Sequence, residues 1–418
     1  MNSAHHMVNA LGDLLAAVAN AQIRVIEVTT DLDDVPSIRL APGQSLRSQG
    51  ASRTLRFLPG QDGLQLSTDN DVIGLTLACD VAQRAVYNDT TVLHLGRLLL
   101  RDLTITGVVR ILAADQVRGG HVEAHDIDII AADARGYDKR PHGYGVEVVP
   151  GAFTLWNQQA DAAVTVTADL TGLAAGRAGT PVRGSGIFVS GGGDVGGRLV
   201  VSRLETNAVY SDGGIAPGTP DRITGGVFTV HGAFVDKVAN LGPVTTYGPN
   251  DMVLDNWGTV DQWVVNDKIT SYGPSGIGFV NFGVLNALRV NAPIETFGQG
   301  ARGFNLYSGT LQSAEFERVV THADGAVGIQ ISRPVGRIAV RRGIETYGGT
   351  GDSLVKGVVT KLSAIALSVK PGGSAREITI EGGLVTHGDG IAALEMHGTV
   401  ETLKVSGGFG VADETPRS

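Results

Sequence analysis

Sulfur, aromatic side chains and charge are all scarce in this 418-residue chain. Cys79 is the only cysteine, which excludes an internal disulfide and any cysteine-built metal site. It is expected to be a buried structural thiol. Aromatic residues make up 5% and charged residues 18%, the latter below the usual quarter. The net charge is −9, and no run of Lys and Arg appears. Nucleic-acid phosphates need clustered cations, so no nucleic-acid partner is expected. No apolar run is long enough to span a bilayer, so no membrane partner is expected. The stretch from Val8 to Ala21 carries Asp13 and follows no basic segment, which makes it a poor signal peptide. The expected location is the cytoplasm, or outside the cell by export without a cleaved signal. The histidines lack HExxH-type spacing, which argues against zinc, and His5 and His6 are expected in a disordered leader. No cofactor is expected.

Glycine, by contrast, is abundant at 59 residues. Without Gly-X-Y periodicity it signals many tight turns. A chain this long folds either as several compact domains or as one elongated repeat. Internal spacing favours the repeat. Val244-Thr-Thr-Tyr247-Gly, Ile269-Thr-Ser-Tyr272-Gly, Ile294-Glu-Thr-Phe297-Gly, Val319-Val-Thr-His322-Ala and Ile344-Glu-Thr-Tyr347-Gly recur every 25 residues. Leu384-Val-Thr-His387-Gly follows after one period plus a 15-residue insertion, and Leu204-Glu-Thr-Asn207 precedes Tyr247 by the same interval. Each period holds two further strand-like patches, such as Val253 to Trp257 and Val260 to Val265.

Three short strands per 25-residue unit describe one coil of a right-handed parallel β-helix. Stacked coils, about 4.8 Å apart, share the core that a single coil cannot close. One inward ladder is expected to be Val244, Ile269, Ile294, Val319, Ile344 and Leu384. The other is expected to be Leu254, Phe279, Phe304, Ile329, Leu354 and Leu394. Residues 1–22 are expected to form an N-terminal segment with a helix capping the first coil. Residues 23–410 are expected to be one β-helix domain, and 411–418 a polar tail.

The order of short helix, Ile23-Arg-Val-Ile-Glu-Val28, Ile38 to Leu46 and Asp62-Gly-Leu-Gln-Leu66 resembles the start of pectate-lyase-like β-helix proteins. That superfamily includes polysaccharide lyases, glycoside hydrolases, epimerases and phage tailspikes. No catalytic motif of one member is present, and no asparagine ladder is expected. The resemblance implies architecture and carries over no residue roles.

Alternation turns Tyr247, Tyr272, Phe297, His322, Tyr347 and His387 outward into one column. Such a stripe suits either sugar rings or a partner subunit. Glu295 and Glu345 stand beside it, two coils apart, as a candidate acid and base or as a solvated pair. Asp251, Asp255, Asn256 and Asp261 could hold Ca²⁺, serve acid–base work, or solvate a face.

Two irregular segments are the better candidates. One, Asp133 to Glu147, contains Tyr137, Lys139, Arg140, His142 and Tyr144. The other, Tyr210 to Arg222, contains Asp212 and Asp221. Their basic residues suit a polyanionic sugar, and lyase chemistry needs both a base and cations.

The leading expectation is a carbohydrate-active enzyme, lyase or hydrolase, acting on an oligosaccharide or another small molecule. A non-catalytic, tailspike-like homo-oligomer, with a trimer favoured, and an intracellular isomerase or cyclase are the alternatives.

Overall fold

The computed structural model describes residues 4–355 and 357–411. Among the described residues the chain is nearly all β, with one helix, and its long sheets are built from parallel strands. Two compact units are distinguished. The first comprises the described residues up to Lys139 together with Pro150–Tyr210 and Thr229–Asp236; the second comprises Arg140–Val149, Ser211–Phe228 and the chain from Lys237 onward. Each is a stack of parallel β-helical coils. No helix among the described residues is long and apolar enough to cross a membrane.

In the second unit one coil consists of the strands Val244–Thr246, Asp251–Asn256 and Thr259–Val265. The next coil pairs with it in parallel, residue for residue: Val244 with Ile269, Leu254 with Phe279 and Val260 with Leu285. The first expected ladder forms throughout, from Val244 through Ile269, Ile294, Val319 and Ile344 to Leu384. All six are buried, and each fully buried aliphatic side chain is favoured by about 1.5–3 kcal/mol over an exposed one.

The second ladder differs at one rung. Ile329 pairs with Leu367, which pairs with Leu394; Leu354 is not in the ladder. The reason is where the 15-residue insertion falls. It precedes the strand and folds as an antiparallel hairpin, Thr350–Val355 against Val358–Ser363, so the coil resumes at Leu367–Val369. Aromatic rings fill the space between the sheets. Phe279 lies 5.0 Å from Trp263 and 6.0 Å from Phe304, between ring centroids.

Asparagines do stack, over two rungs. Buried Asn256 donates Nδ2 to Oδ1 of buried Asn281 at 2.8 Å, and Asn281 donates to the carbonyls of Gly283 and Thr310. The pair satisfies the tight turn after the second strand, a role that two isolated asparagines in the sequence did not announce. The repeated glycine after each outward aromatic has an equally local cause. A Cβ on Gly273 or Gly298 would stand 1.8 or 1.9 Å from the carbonyl oxygen of the coil before.

The first unit is less regular. Its strand Ile23–Val28 pairs in parallel with Ser45–Arg47, and Gly119–Ala131 with Thr165–Ala175, across unequal sequence intervals. The helix runs over Leu11–Ala19 and buries Leu14 and Ala17. Gln44, itself buried, donates Nε2 to the carbonyls of Ala17, Asn20 and Ile23, and so closes the helix end. His5 and His6 are not in a disordered segment. Ala4–Val8 is a strand paired with Ile23–Val28, and His5 Nε2 lies 2.9 Å from Glu27. Cys79 is buried, and its thiol is pushed up to about 12 by that burial. Of the expected polar tail, 412–418 lie outside the described residues.

Candidate functional site

The outward aromatic column forms as one continuous pile of six rings. Centroid separations from Tyr247 through Tyr272, Phe297, His322 and Tyr347 to His387 are 5.4, 5.1, 4.4, 5.4 and 4.2 Å, and no pair is tilted by more than 15°. The coil spacing imposes this geometry, since rings one coil apart meet face to face. The inner faces are therefore spent on each other. What Tyr272, Phe297 and Tyr347 present to solvent is edges, at 48%, 37% and 42% exposure.

Glu295 and Glu345 flank the column, with Val320 between them in register. Lys268 and His322 bond Glu295, while Arg318, Tyr347 and His387 bond Glu345. Burial pushes both carboxyls up, but these bonds outweigh it and hold them below the usual carboxylate range. A general acid needs the opposite shift. As an acid–base pair the two glutamates lack a proton donor of their own.

The irregular segments lead elsewhere, to the outer side of the sheet containing Asp251–Asn256, Ile277–Asn281 and Arg302–Leu306. Three excursions of the second unit meet there. Glu147 and Val148 pair in parallel with Arg222 and Ile223, joining the first two. Glu147 is the hub, with Arg140, His142 and Arg222 nitrogens at 3.3, 3.3 and 3.8 Å. The predicted cations Arg140 and His142 are thus already paired with a carboxylate. Asp221 contributes a carbonyl to the Glu147 N–H, and Asp212 accepts the N–H of Gly214. The third excursion is the hairpin at 350–363.

The coil turns grip these covers. The turn position is left-handed in successive coils, at Asn250, Ser275, Gly300 and Gly325, with φ between 57° and 69°. Glycine is the easy choice there, yet two coils carry side chains. Asn250 donates Nδ2 to the carbonyl of Thr219 at 3.0 Å, and Ser275 Oγ accepts the N–H of Leu354 at 2.9 Å. Gly300 accepts Ser353 Oγ at 2.7 Å, and a Cβ on it would meet Asp352 O at 2.5 Å.

Beneath the covers lies a cavity of about 80 Å³, with a groove of about 200 Å³ that shares Asn250, Ser275 and Leu354 with it. Its aromatic wall is a second ring ladder. Phe282 lies 5.8 Å from Trp257 and 4.8 Å from Tyr307. Tyr144 stacks on Phe282 at 4.4 Å, stands edge-on to Trp257, and donates its hydroxyl to the Phe282 carbonyl. Tyr144 itself is left-handed at φ 53°, a strained conformation for a bulky side chain, held by those ring contacts.

The floor is polar and buried. Arg302 lines the cavity at 2% exposure, and its Nε donates to Gln330 at 3.4 Å. Burial lowers its pKa to about 10, so it stays charged at neutral pH. Burial raises the Tyr307 hydroxyl, against the pull of Arg302. Asn305 is fully buried, and neither its amide nitrogen nor its oxygen has a hydrogen-bond partner. Two coils earlier in the same column, Asp255 is held well above the carboxylate range by burial, against a hydrogen bond from Trp257. Asp251 is raised to about 6 by burial, opposed by bonds from Thr224, Gly213 and Gly248 that tie it to the excursion's base.

No family model, curated protein or solved structure matches the chain. Of the residues expected from sequence, Tyr144 lines the cleft, and Arg140, His142 and Asp221 belong to its cover. Tyr137 and Lys139 belong to the first unit. There Tyr137 is buried under the Arg110 guanidinium, 4.1 Å away, and Lys139 reaches Gln158 at 3.4 Å. Asp261 sits on another strand and accepts Asn286 at 2.8 Å. Among the described residues no three His, Cys, Asp or Glu side chains converge as a metal site.

Proposed function

We propose that this chain is a carbohydrate-active β-helix protein, a lyase or glycoside hydrolase, that holds an oligosaccharide in the cleft under Tyr144. The observation that carries this reading is the pairing of an aromatic wall with a buried polar floor. The apolar lining by Tyr144, Phe282 and Tyr307 suits the C–H groups of a sugar, and Arg302, Asn250 and Ser275 suit its polar groups. Both compartments expected from the sequence accommodate this reading.

A screen of neutral and acidic oligosaccharides tests it. Ultraviolet absorbance from a new double bond reports a lyase, and new reducing ends without that absorbance report a hydrolase. Absence of both activities and of binding to every sugar ends the reading.

The ring pile favours a second reading, a non-catalytic homo-oligomer, trimeric by preference. Its half-exposed apolar edges offer a surface to another copy. Solution mass by light scattering separates the two, with a stable trimer and no sugar binding favouring assembly.

A further inference from the structure

Arg302 breaks an otherwise aliphatic column. Its register neighbours are Ile277 before it and Val327 after it, with Met252 one coil further back. A guanidinium in that position is costly, because burial strips its water and the charge needs a partner in exchange. Among the described residues no carboxylate pairs with it, and the single long bond from Nε to Gln330 is its only hydrogen bond. Both terminal nitrogens donate to no described protein atom, and the residue lines the cavity. Among the described residues, Tyr307 is the one titratable group whose charge bears on it. The acidic groups around the cleft are occupied: Asp251 is tied to Thr224, Gly213 and Gly248, Glu147 to Arg140, His142 and Arg222, and Asp352, which lines the groove, to Lys361. The cleft thus carries local positive charge in a chain of net charge −9.

We infer that Arg302 is the receptor for an oxyanion carried by the ligand, with the planar fork of its terminal nitrogens meeting two oxygens of that group. Carboxylate, sulfate and phosphate share this chemistry. The inference rests on the cleft being the ligand site and sharpens it: the oligosaccharide is an acidic one. The aromatic wall holds the ring while the guanidinium holds its charged substituent. The cations expected to do this from sequence, Arg140 and Lys139, are respectively paired with Glu147 and placed on Gln158. A purely structural arginine would gain nothing here, since an apolar side chain of similar size would complete the column without the desolvation cost.

The test compares wild type with Arg302→Met and Arg302→Lys by calorimetric titration at low ionic strength. The probes are glucuronate and galacturonate oligosaccharides, their carboxyl-reduced neutral counterparts, sodium sulfate and sodium phosphate. Thermal unfolding of each variant is followed alongside. Wild type is expected to bind at least one acidic sugar roughly tenfold or more tighter than its reduced counterpart, the scale of a lost charged hydrogen bond. Arg302→Met is expected to bind both at the neutral sugar's level with an equal or higher melting point, and Arg302→Lys to recover part of the preference. Acidic sugars bound as tightly by Arg302→Met as by wild type overturn the inference and leave the oligosaccharide reading standing. Sulfate or phosphate raising the melting point of wild type alone, with no sugar bound, supports the anion receptor and overturns the carbohydrate reading. No probe distinguishing wild type from either variant overturns the inference outright.

Discussion

His387 Nε2 and Glu345 Oε1 lie 2.8 Å apart, although 42 residues separate them in the chain. Between them in sequence fall the whole hairpin insertion and one coil, yet Thr346 and Thr386 pair directly and bring the two together. Arg318 from the coil before completes the set. The same arrangement of cation, glutamate and histidine repeats at Lys268, Glu295 and His322.

These bonds make stability depend on acid. Burial raises the Glu345 carboxyl, and the His387, Tyr347 and Arg318 bonds outweigh it, so its folded-state pKa is depressed. A depressed carboxyl contributes stability above its unfolded value, about 4.3, and that contribution is lost as pH falls through the folded value. Thermal midpoints are expected to be steady near neutrality and to drop below about pH 4. Glu345→Gln is expected to cost about 1 kcal/mol at pH 7 and to flatten the acid limb. An unchanged limb contradicts this.

The asparagine pair is expected to matter more than any surface ion pair. Asn281→Leu removes the side-chain bonds to Asn256 Nδ2 and to the carbonyls of Gly283 and Thr310, while Asn256 Nδ2 keeps the Val284 carbonyl and Gly283 O keeps the Thr310 N–H. A loss of about 1–3 kcal/mol is expected, read as a lower urea midpoint. Asn291→Leu, which removes the exposed bonds to Asn266 Oδ1 and from Arg341, is expected to change the midpoint by only a few tenths of that.

Core packing is tested by Phe304→Ala. The ring is fully buried, 6.0 Å from Phe279 and 5.0 Å from Phe316. About 3–5 kcal/mol of destabilisation is expected, whereas Phe297→Ala in the outward pile is expected to cost far less. Equal costs contradict the inward and outward assignment.

The cover of the cleft is expected to open without loss of the coil. In Gly300→Ala the new Cβ meets Asp352 and Ser353, and the residue must hold φ 66°. Limited proteolysis is expected to cut the hairpin at 350–363 faster while circular dichroism stays β-rich. Hairpin resistance equal to that of wild type contradicts the proposed grip.

The coil was legible because its spacing is strict where it matters. Inward Val, Ile and Leu at 25-residue steps, with a glycine after each aromatic, are direct imprints of strands stacked in register. The unequal strand intervals of the first unit erased the same imprint there. Placing Leu354 in the ladder failed because the insertion length was visible but its position was not. For the cleft, the sequence marked the excursions and Tyr144 as places of interest, and the fold brings Tyr144 to the wall of one cavity. It obscured the floor, since Arg302 is informative only once Ile277 and Val327 are known to be its vertical neighbours. Trp257, Phe282 and Tyr307 also stood at the repeat spacing, a signal overshadowed by the longer outward column.

The central claim is that ligand enters the cleft and not the outward ring pile. Calorimetric titration of the tightest-binding oligosaccharide against Tyr144→Ala and Tyr272→Ala tests it most directly. Tyr144→Ala is expected to weaken binding about tenfold or more, as loss of a stacking wall worth about 1.4 kcal/mol requires, and Tyr272→Ala to leave it unchanged. Weakening by Tyr272→Ala with Tyr144→Ala at wild-type affinity contradicts the account.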